Sequence, residues 1–564
     1  MPTGIESQLV DLIAVFIVAA AVGTFVAKVG RFPYTIALLL AGLAASVLGI
    51  HPGIDISHDL ILFVLLPPLL FEGAANTEFE RFRRNLPMVL SLAVVGLVIS
   101  VAVVGLLGQR LLGLPLLVSL LFAATILPTD PVSVLALFKE LGVPDGLAVL
   151  VEGESLLNDG TGVVLFMTLA DLVVAVQRGT TTPGAVFTPA RLAGIGFQML
   201  VVGLGGAAVG LAAGYAVYRV MYVLDEHMTE TVLALVLAYG SFLLAEEYLH
   251  VSGVIAVVVA GLLIGNRAAD EAMSPQTKIT VFNTFETASF LVNTFIFLMI
   301  GVKTPIHQLV QYGGLIAVAI PLVLLGRAVG LYPVVWVVNR LGGRTVSLDY
   351  QHSMLWAGLH ASIPIALVLG LPPDLGEPYR TQLRALVFGV AAFSLVVQGL
   401  SMRRLLDWLG IVRRTEAQEL YELLTGRQRA VEGALDAAER LRRQGELPGD
   451  VYRDFTAEYE RERDDLRSAI TALLRSTPEL RREQQLAGER RILKQEKSAV
   501  MDAMRRGVVS DRVGDRLLEE VNLKLDRVGE GQTTVGADEE GEEFREFWRT
   551  RAAEFGLDVD GSDE

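Results

Sequence analysis

ATILPTDPVSVLALF, residues 124–138, and VEGESLLNDGTGVVLF, residues 151–166, decide how this chain is read. In the first, Pro128, Thr129, Asp130 and Pro131 interrupt an apolar run of helical character near its middle. Proline supplies no amide donor and clashes with the preceding turn, so two prolines around Thr129 and Asp130 open the helix and expose backbone carbonyls and amides. A plain proline kink capped by Thr129 and Asp130 would not require an acid in so apolar a run. In the second stretch Ser155 and Asp159 are four apart and share one helix face, and Glu154 and Asn158 share the adjacent face. Four oxygen-bearing side chains thus crowd into a turn and a half of helix.

Outward from these stretches, apolar runs of about 16 to 25 residues recur, each long enough to cross a hydrocarbon core of roughly 30 Å. They fall near 7–27, 35–50, 58–75, 86–107, 114–138, 146–174, 194–222, 229–247, 252–265, 280–302, 313–338, 352–370 and 382–402, which predicts an all-α polytopic membrane protein with thirteen transmembrane helices. Broken backbone at membrane depth is tolerated only where protein buries it or it lines a cavity, and half-helix ends there can hold ions. A second interruption stands in WAGLHASIPIALVLG, residues 356–370, at Gly358, His360, Ser362 and Pro364. Two broken spans in matching positions of two halves point to an inverted-repeat transporter; hydropathy alone carries that inference, since no internal residue-level similarity is evident.

The chain of 564 residues is 52% hydrophobic and 19% charged, but residues 1–402 hold 18 of the 47 Lys and Arg and 25 of the 62 Asp and Glu. The expected division is therefore a transmembrane domain over 1–402 and a helical cytoplasmic region over 403–564. Basic residues are retained on the cytoplasmic side, and the loops on the C-terminal side carry the excess of them, including Lys28, Arg31, Arg81, Arg83, Arg84, Arg340 and Arg344, followed by Arg403, Arg404, Arg413 and Arg414. That places the C-terminus in the cytoplasm and the N-terminus outside, in the cell membrane. MPTGIESQLVD has no basic n-region and does not read as a cleaved signal. With no cysteine, disulfides, thiolate metal sites and cysteine nucleophiles are excluded, and the net charge of -15 argues against nucleic acid as a partner. No cofactor is expected.

Ionisable side chains at membrane depth cost at least about 2.5–3.5 kcal/mol and are functional candidates by default. Those well inside spans are Glu72, Asp130, Glu152, Glu154, Asp159, Asp171, Glu286 and Arg327, with Glu246 and Glu247 at a span end. Asp171, Glu286, Glu246 and Glu247 read as interface or helix-end charges. Hard cations take several oxygen ligands, a preference extended here from calcium and magnesium to alkali ions by charge hardness. A carboxylate in such a cluster holds either a proton or a cation, which is the chemistry of an exchanger. A hydrogen-bond cluster joining helices is the structural alternative. Arg327 in LLGRAVGLYP needs an acidic partner, for which Glu154 is preferred over Glu72, in a structural ion pair. Glu72, after Pro67 and Pro68, either lies against the break as a water-mediated ligand or sits at its helix end. His360 reads as a hydrogen-bonded histidine beside a break, with a proton relay as the alternative.

LPPLLFEGAANTEFERFRRN (66–85), AATILPTDPVSVLALFKELGVP (123–144), LVEGESLLNDGTGVVLF (150–166), NTFIFLMIGV (293–302) and FSLVVQGLSM (393–402) together resemble the successive signatures of the cation:proton antiporter superfamily, in its NhaP-type sodium/proton antiporter branch related to the animal sodium/proton exchangers. The resemblance spans nearly all of residues 10–402. It implies crossed discontinuous helices at the fifth and twelfth spans, a homodimer, and an elevator motion of a core near 86–174 and 313–402 against a dimerisation part near 7–75 and 194–302. It places Na+ or K+ at Asp159, Ser155 and the Thr129 backbone, with Asp130 close by, and Glu154 with Arg327 as a supporting pair. Asn158 and Asp159 match the Asn-Asp of this branch, where electrogenic relatives have Asp-Asp, which implies electroneutral one-for-one exchange. One departure stands out: where many relatives read GLRGA, this chain reads Gly358, Leu359, His360, Ala361, Ser362, and a histidine there differs in charge and hydrogen bonding from arginine.

The remaining region alternates apolar and charged positions at helical spacing, as in EAQELYELLTGRQRAVEGALDAAERLRRQ (416–444), with Pro448 and Pro478 as breaks, and reads as several amphipathic helices ending in the acidic GADEEGEEFREFWRTRAAEFG. The preferred reading is a solvated appendage aiding dimerisation rather than a ligand sensor. The function that follows is not an enzyme's but a secondary antiporter's, exchanging Na+ (or K+ or Li+) for H+ in pH and cation homeostasis. A K+-selective antiporter and a cation channel are the alternatives; an intramembrane hydrolase finds no HExxH or GxSxG.

Overall fold

The computed structural model describes residues 5–29, 34–49, 59–130, 132–182, 188–224, 226–342, 345–412, 416–505, 507–529 and 531–533. Pro131, Arg31, Arg344, Arg413, Arg414 and the terminal acidic stretch lie outside them. The chain forms two compact units, Met1–Val412 and Arg413–Glu564.

The first unit is all helical among its described residues: α1 Ile5–Val29, α2 Tyr34–Val47, α3 Leu60–Asn76, α4 Phe79–Leu111, α5 Leu116–Ile126, α6 Val132–Leu141, α7 Asp145–Gln177, α8 Pro189–Met221, α9 His227–Tyr248, α10 Gly253–Ala268, α11 Pro275–Lys303, α12 Gly313–Leu341, α13 Leu348–Trp356, α14 Ser362–Leu369 and α15 Tyr379–Trp408. Seven of these, α4, α7, α8, α9, α11, α12 and α15, are long and apolar enough to cross a membrane as continuous helices. Shorter apolar helices lie in α1, α2, α3, α5 and α10. Phe197, Leu200 and Leu204 on α8 remain largely exposed, as a helix facing hydrocarbon allows.

The interruptions fall at the two stretches read from the sequence. α5 ends at Ile126 and α6 begins at Val132; α13 ends at Trp356 and α14 begins at Ser362. Pro364 sits in the first turn of α14, where a missing amide hydrogen removes no intrahelical bond. Small residues let helices approach closely: Gly42 on α2 and Gly301 on α11 lie backbone to backbone, a Cβ on Gly42 coming 3.0 Å from the Gly301 Cα. Gly96 on α4 meets Gly330 on α12 in the same way, a Cβ on Gly96 coming 3.1 Å from the Gly330 carbonyl oxygen. The apolar run ends at 402, yet α15 continues to Trp408 as an amphipathic turn with Met402 and Leu406 buried, so the compact unit extends to Val412.

The second unit contains α16 Glu416–Gln444, α17 Gly449–Ser476, α18 Pro478–Arg505 and α19 Asp511–Gly529, with Pro448 just before α17 and Pro478 opening α18. Arg427 grips Glu462 through Nε and Nη2 at 2.6 and 3.0 Å, joining α16 to α17. Across the turn between them, Arg442, Tyr452 and Arg443 donate to Glu439 and hold its carboxyl down at about 2. Leu493, Val521 and Val528 form a small core between α18 and α19.

Candidate functional site

The two broken helices meet backbone to backbone. The Asp130 amide donates to the Leu359 carbonyl at 2.7 Å, which satisfies a peptide group at each break without water. Two side chains reinforce the crossing. The His360 ring lies 3.1 Å through Nδ1 from the Pro128 carbonyl; a carbonyl can only accept, so Nδ1 carries the proton. Ser362 donates to Asp130 Oδ2 at 3.4 Å. Behind them Ser394 Oγ accepts from the His360 amide at 3.0 Å and donates to the Ala391 carbonyl at 2.9 Å. Ser394 opens a turn of π-helix within α15, a local widening frequent at functional sites.

α7 supplies the other wall. Ser155 donates to the Thr129 carbonyl, and the Thr129 hydroxyl lies 3.4 Å from Ser155 Oγ. Gly162 packs directly under the Pro128 ring, where a side chain would collide with it. Asp159 is 3% exposed and its Oδ1 has no hydrogen-bond partner among the described residues. It lies close enough to Asp130 for the two carboxylates to repel. The result is a buried group of carboxylate, hydroxyl and carbonyl oxygens, the ligand types that hard cations take.

Glu154 and Arg327 form a buried bidentate pair at 3.1 and 3.3 Å, and Arg327 also donates to the Met354 carbonyl at 3.0 Å. The guanidinium passes directly beneath Gly358, whose lack of a Cβ makes room for it. One ion pair therefore ties α7 and α12 to the end of α13.

The structure brings Thr129, Asp130, Ser155, Asp159, His360 and Ser362 into one group, and sets Glu154 with Arg327 beside it. Asn158 lines a cavity shared with Glu154 and Arg327. Glu72 is half-buried and its Oε1 accepts from Asn76 at 2.7 Å; it lies near Glu152, whose Oε1 accepts from Thr77 at 3.0 Å. Sequence reasoning did not single out Ser394, the Leu359 and Met354 carbonyls or the Thr77–Glu152 contact. Ser394 lay within the quoted FSLVVQGLSM, but a serine in an apolar run has no pattern of its own.

The match to known proteins covers the same region. The family model "Sodium/hydrogen exchanger, transmembrane" matches residues 15–408. The Na(+)/H(+) antiporter ApNhaP of Aphanothece halophytica is 37% identical over 435 residues, 76% of this chain and 80% of that protein. The Na(+)/H(+) antiporter NhaG of Bacillus atrophaeus is 33% identical over 522 residues, 90% of this chain and 96% of that one, and so extends through most of the second unit. The fold resembles that of the sodium proton antiporter MjNhaP1 of Methanocaldococcus jannaschii at pH 8, with a TM-score of 0.58 and 21% identity over 72% of this chain and 99% of that one. These relatives are transporters and not enzymes. With a crossed pair of interrupted helices and a family match running from α1 through α15, the chain belongs to the sodium/hydrogen exchanger family of multi-pass membrane proteins.

Proposed function

We propose that this chain is a Na+/H+ antiporter in which Asp159 binds a sodium ion and a proton alternately. The observation that carries the reading is the unpartnered Asp159 carboxylate oxygen, buried beside Ser155 and the freed backbone of Thr129. An anionic oxygen in low dielectric calls for a counter-charge, and a proton and a cation compete for it. Ser155 and Thr129 supply neutral ligands, Asp130 shapes the field, and Glu154 with Arg327 braces α7. Asn158, neutral at the paired position, leaves one exchanging carboxylate there and supports one-for-one electroneutral exchange.

The resemblance to NhaP-type antiporters supports thirteen membrane crossings and a homodimer whose core, α4–α7 and α12–α15, moves as an elevator against α1–α3 and α8–α11. Gly160 on α7 lies close against Ile255 on α10, a Cβ there coming 2.7 Å from Ile255 Cγ1, so the two parts meet closely at this point. The distribution of Lys and Arg supports a cytoplasmic C-terminus. The decisive experiment is exchange in proteoliposomes: Asp159→Asn should abolish Na+-driven pH change while the protein elutes and melts as a folded species. Normal exchange by that variant overturns the assignment.

A further inference from the structure

Beside the site, between α4, α7 and α12, lies a cavity of ≈ 20 Å³ lined by Ser100, Glu154, Asn158, Arg327, Gly330 and Leu331, among others. All six are buried. The close approach of Gly96 to Gly330 brings the α4 and α12 backbones together without side chains to fill the adjoining space. Two of the lining residues carry a buried polar atom without a hydrogen-bond partner among the described residues: Asn158 Oδ1, an acceptor, and Arg327 Nε, a donor. Both Nη nitrogens of Arg327 are engaged, on Glu154 and the Met354 carbonyl, so Nε is the guanidinium nitrogen left without a partner among the described residues.

The chemistry of the lining selects the occupant. Arg327 repels a cation and Glu154 an anion, and an apolar molecule would leave both orphaned atoms unsatisfied. A neutral group able to donate and accept, one heavy atom in size, satisfies all three constraints. The volume exceeds the roughly 10–15 Å³ that one water needs, and is too small for a larger molecule. We infer that this cavity is a binding site for a single ordered water, which donates to Asn158 Oδ1 and accepts from Arg327 Nε–H. Acceptors for its second hydrogen are present among the lining residues, the Glu154 carboxylate on α7 and Ser100 Oγ on α4, the latter already donating to the Gly96 carbonyl at 2.8 Å.

The water makes Asn158 a positioning residue rather than an ion ligand. It couples the Glu154–Arg327 pair to the residue preceding Asp159, so the face of α7 adjacent to the proposed cation ligands is held by α12 through a hydrogen-bond bridge. This holds whichever ion the site carries and does not rest on exchange activity.

Two measurements on the full chain test it. In a map of the protein in lipid nanodiscs good enough to show ordered waters, one peak should lie within hydrogen-bonding distance of both Asn158 Oδ1 and Arg327 Nε. A blank cavity beside other visible buried waters, or an Asn158 side chain turned to fill it, overturns the inference. In thermal melting, Leu331→Met should intrude on the cavity and lower the midpoint in the wild-type background, and should lose most of that effect in Asn158→Leu, where the acceptor is gone. An unchanged or raised midpoint in the wild type, as filling a dry void gives, or an equal fall in both backgrounds, as a steric clash gives, overturns it; the map decides if the two measurements disagree.

Discussion

The amide of Asp130 and the carbonyl of Leu359 are 2.7 Å apart, so each interrupted helix completes the hydrogen bonding of the other. His360 adds the second tie, from Nδ1 to the Pro128 carbonyl. Replacing it with leucine leaves that carbonyl buried and unsatisfied, at a cost of about 1–3 kcal/mol. His360→Leu should lower the melting midpoint, and His360→Asn, whose amide nitrogen can take the place of Nδ1, should recover most of the loss. Equal melting of all three proteins would show the tie to be idle.

Glu154 and Arg327 are each 7% exposed at the side chain. Removing one partner strands a buried charge, at about 3–5 kcal/mol, whereas replacing both with apolar groups of similar volume is often close to neutral. Glu154→Leu and Arg327→Met should each be strongly destabilised, and the double variant should melt nearer the wild type than either. Gly358→Ala should resemble Arg327→Met, because a Cβ there falls 2.6 Å from Cζ of the guanidinium. Additive losses in the double variant would deny the coupling.

Ser155 is tied to the freed Thr129 backbone and lies beside Asp159 on α7. Ser155→Ala removes one neutral oxygen without altering charge. A hydrogen-bond-sized contribution of about 0.5–1.5 kcal/mol corresponds to a rise of roughly two- to tenfold in the apparent KM for Na+, with turnover at saturating Na+ largely kept. Kinetics of Na+-driven proton flux in proteoliposomes measure both, and an unchanged KM would remove Ser155 from the ligand set.

In the second unit, Arg442, Tyr452 and Arg443 hold the Glu439 carboxyl at about 2, against an ordinary value of 4.5. A depressed carboxyl stabilises the folded form above its unfolded value and loses that contribution as pH falls through the folded one. The turn between α16 and α17 should therefore loosen between about pH 4.5 and 2, and Glu439→Gln should make the acid-induced loss of helicity by circular dichroism shallower in that window. Superimposable acid titrations of the two proteins would contradict this.

How far the sequence reached depended on what each feature is made of. Pro128, Pro131 and Pro364 announce interruptions because proline acts through its own backbone, and Arg327 demanded an acid because a charge at membrane depth must be answered. That demand left Glu154 and Glu72 as candidates, and the structure pairs Arg327 with Glu154. The contacts that join the two breaks are different in kind. The Leu359 and Met354 carbonyls belong to every residue type, Gly358 matters only because Arg327 crosses it, and Ser394 acts from a helix more than 30 residues away. Glu72 illustrates the remaining ambiguity: spacing put it near the break, but the carboxylate is engaged by Asn76 one turn away.

The last expectation concerns competition at Asp159. Asp159 Oδ1 meets no hydrogen-bond donor among the described residues, and on the proposed mechanism proton and Na+ exclude one another there. Below the proton midpoint of the site, the apparent KM for Na+ should then rise about tenfold per pH unit, because the free anionic form falls by that factor. Saturating Na+ should restore exchange across the same range. If one proton leaves for each ion bound, an imposed membrane potential should leave the exchange rate unchanged. A KM that stays flat while turnover falls with pH would place the titrating group elsewhere than Asp159. A rate that follows the potential would mean that a second charge moves with the core, and Asn158 would no longer account for the stoichiometry.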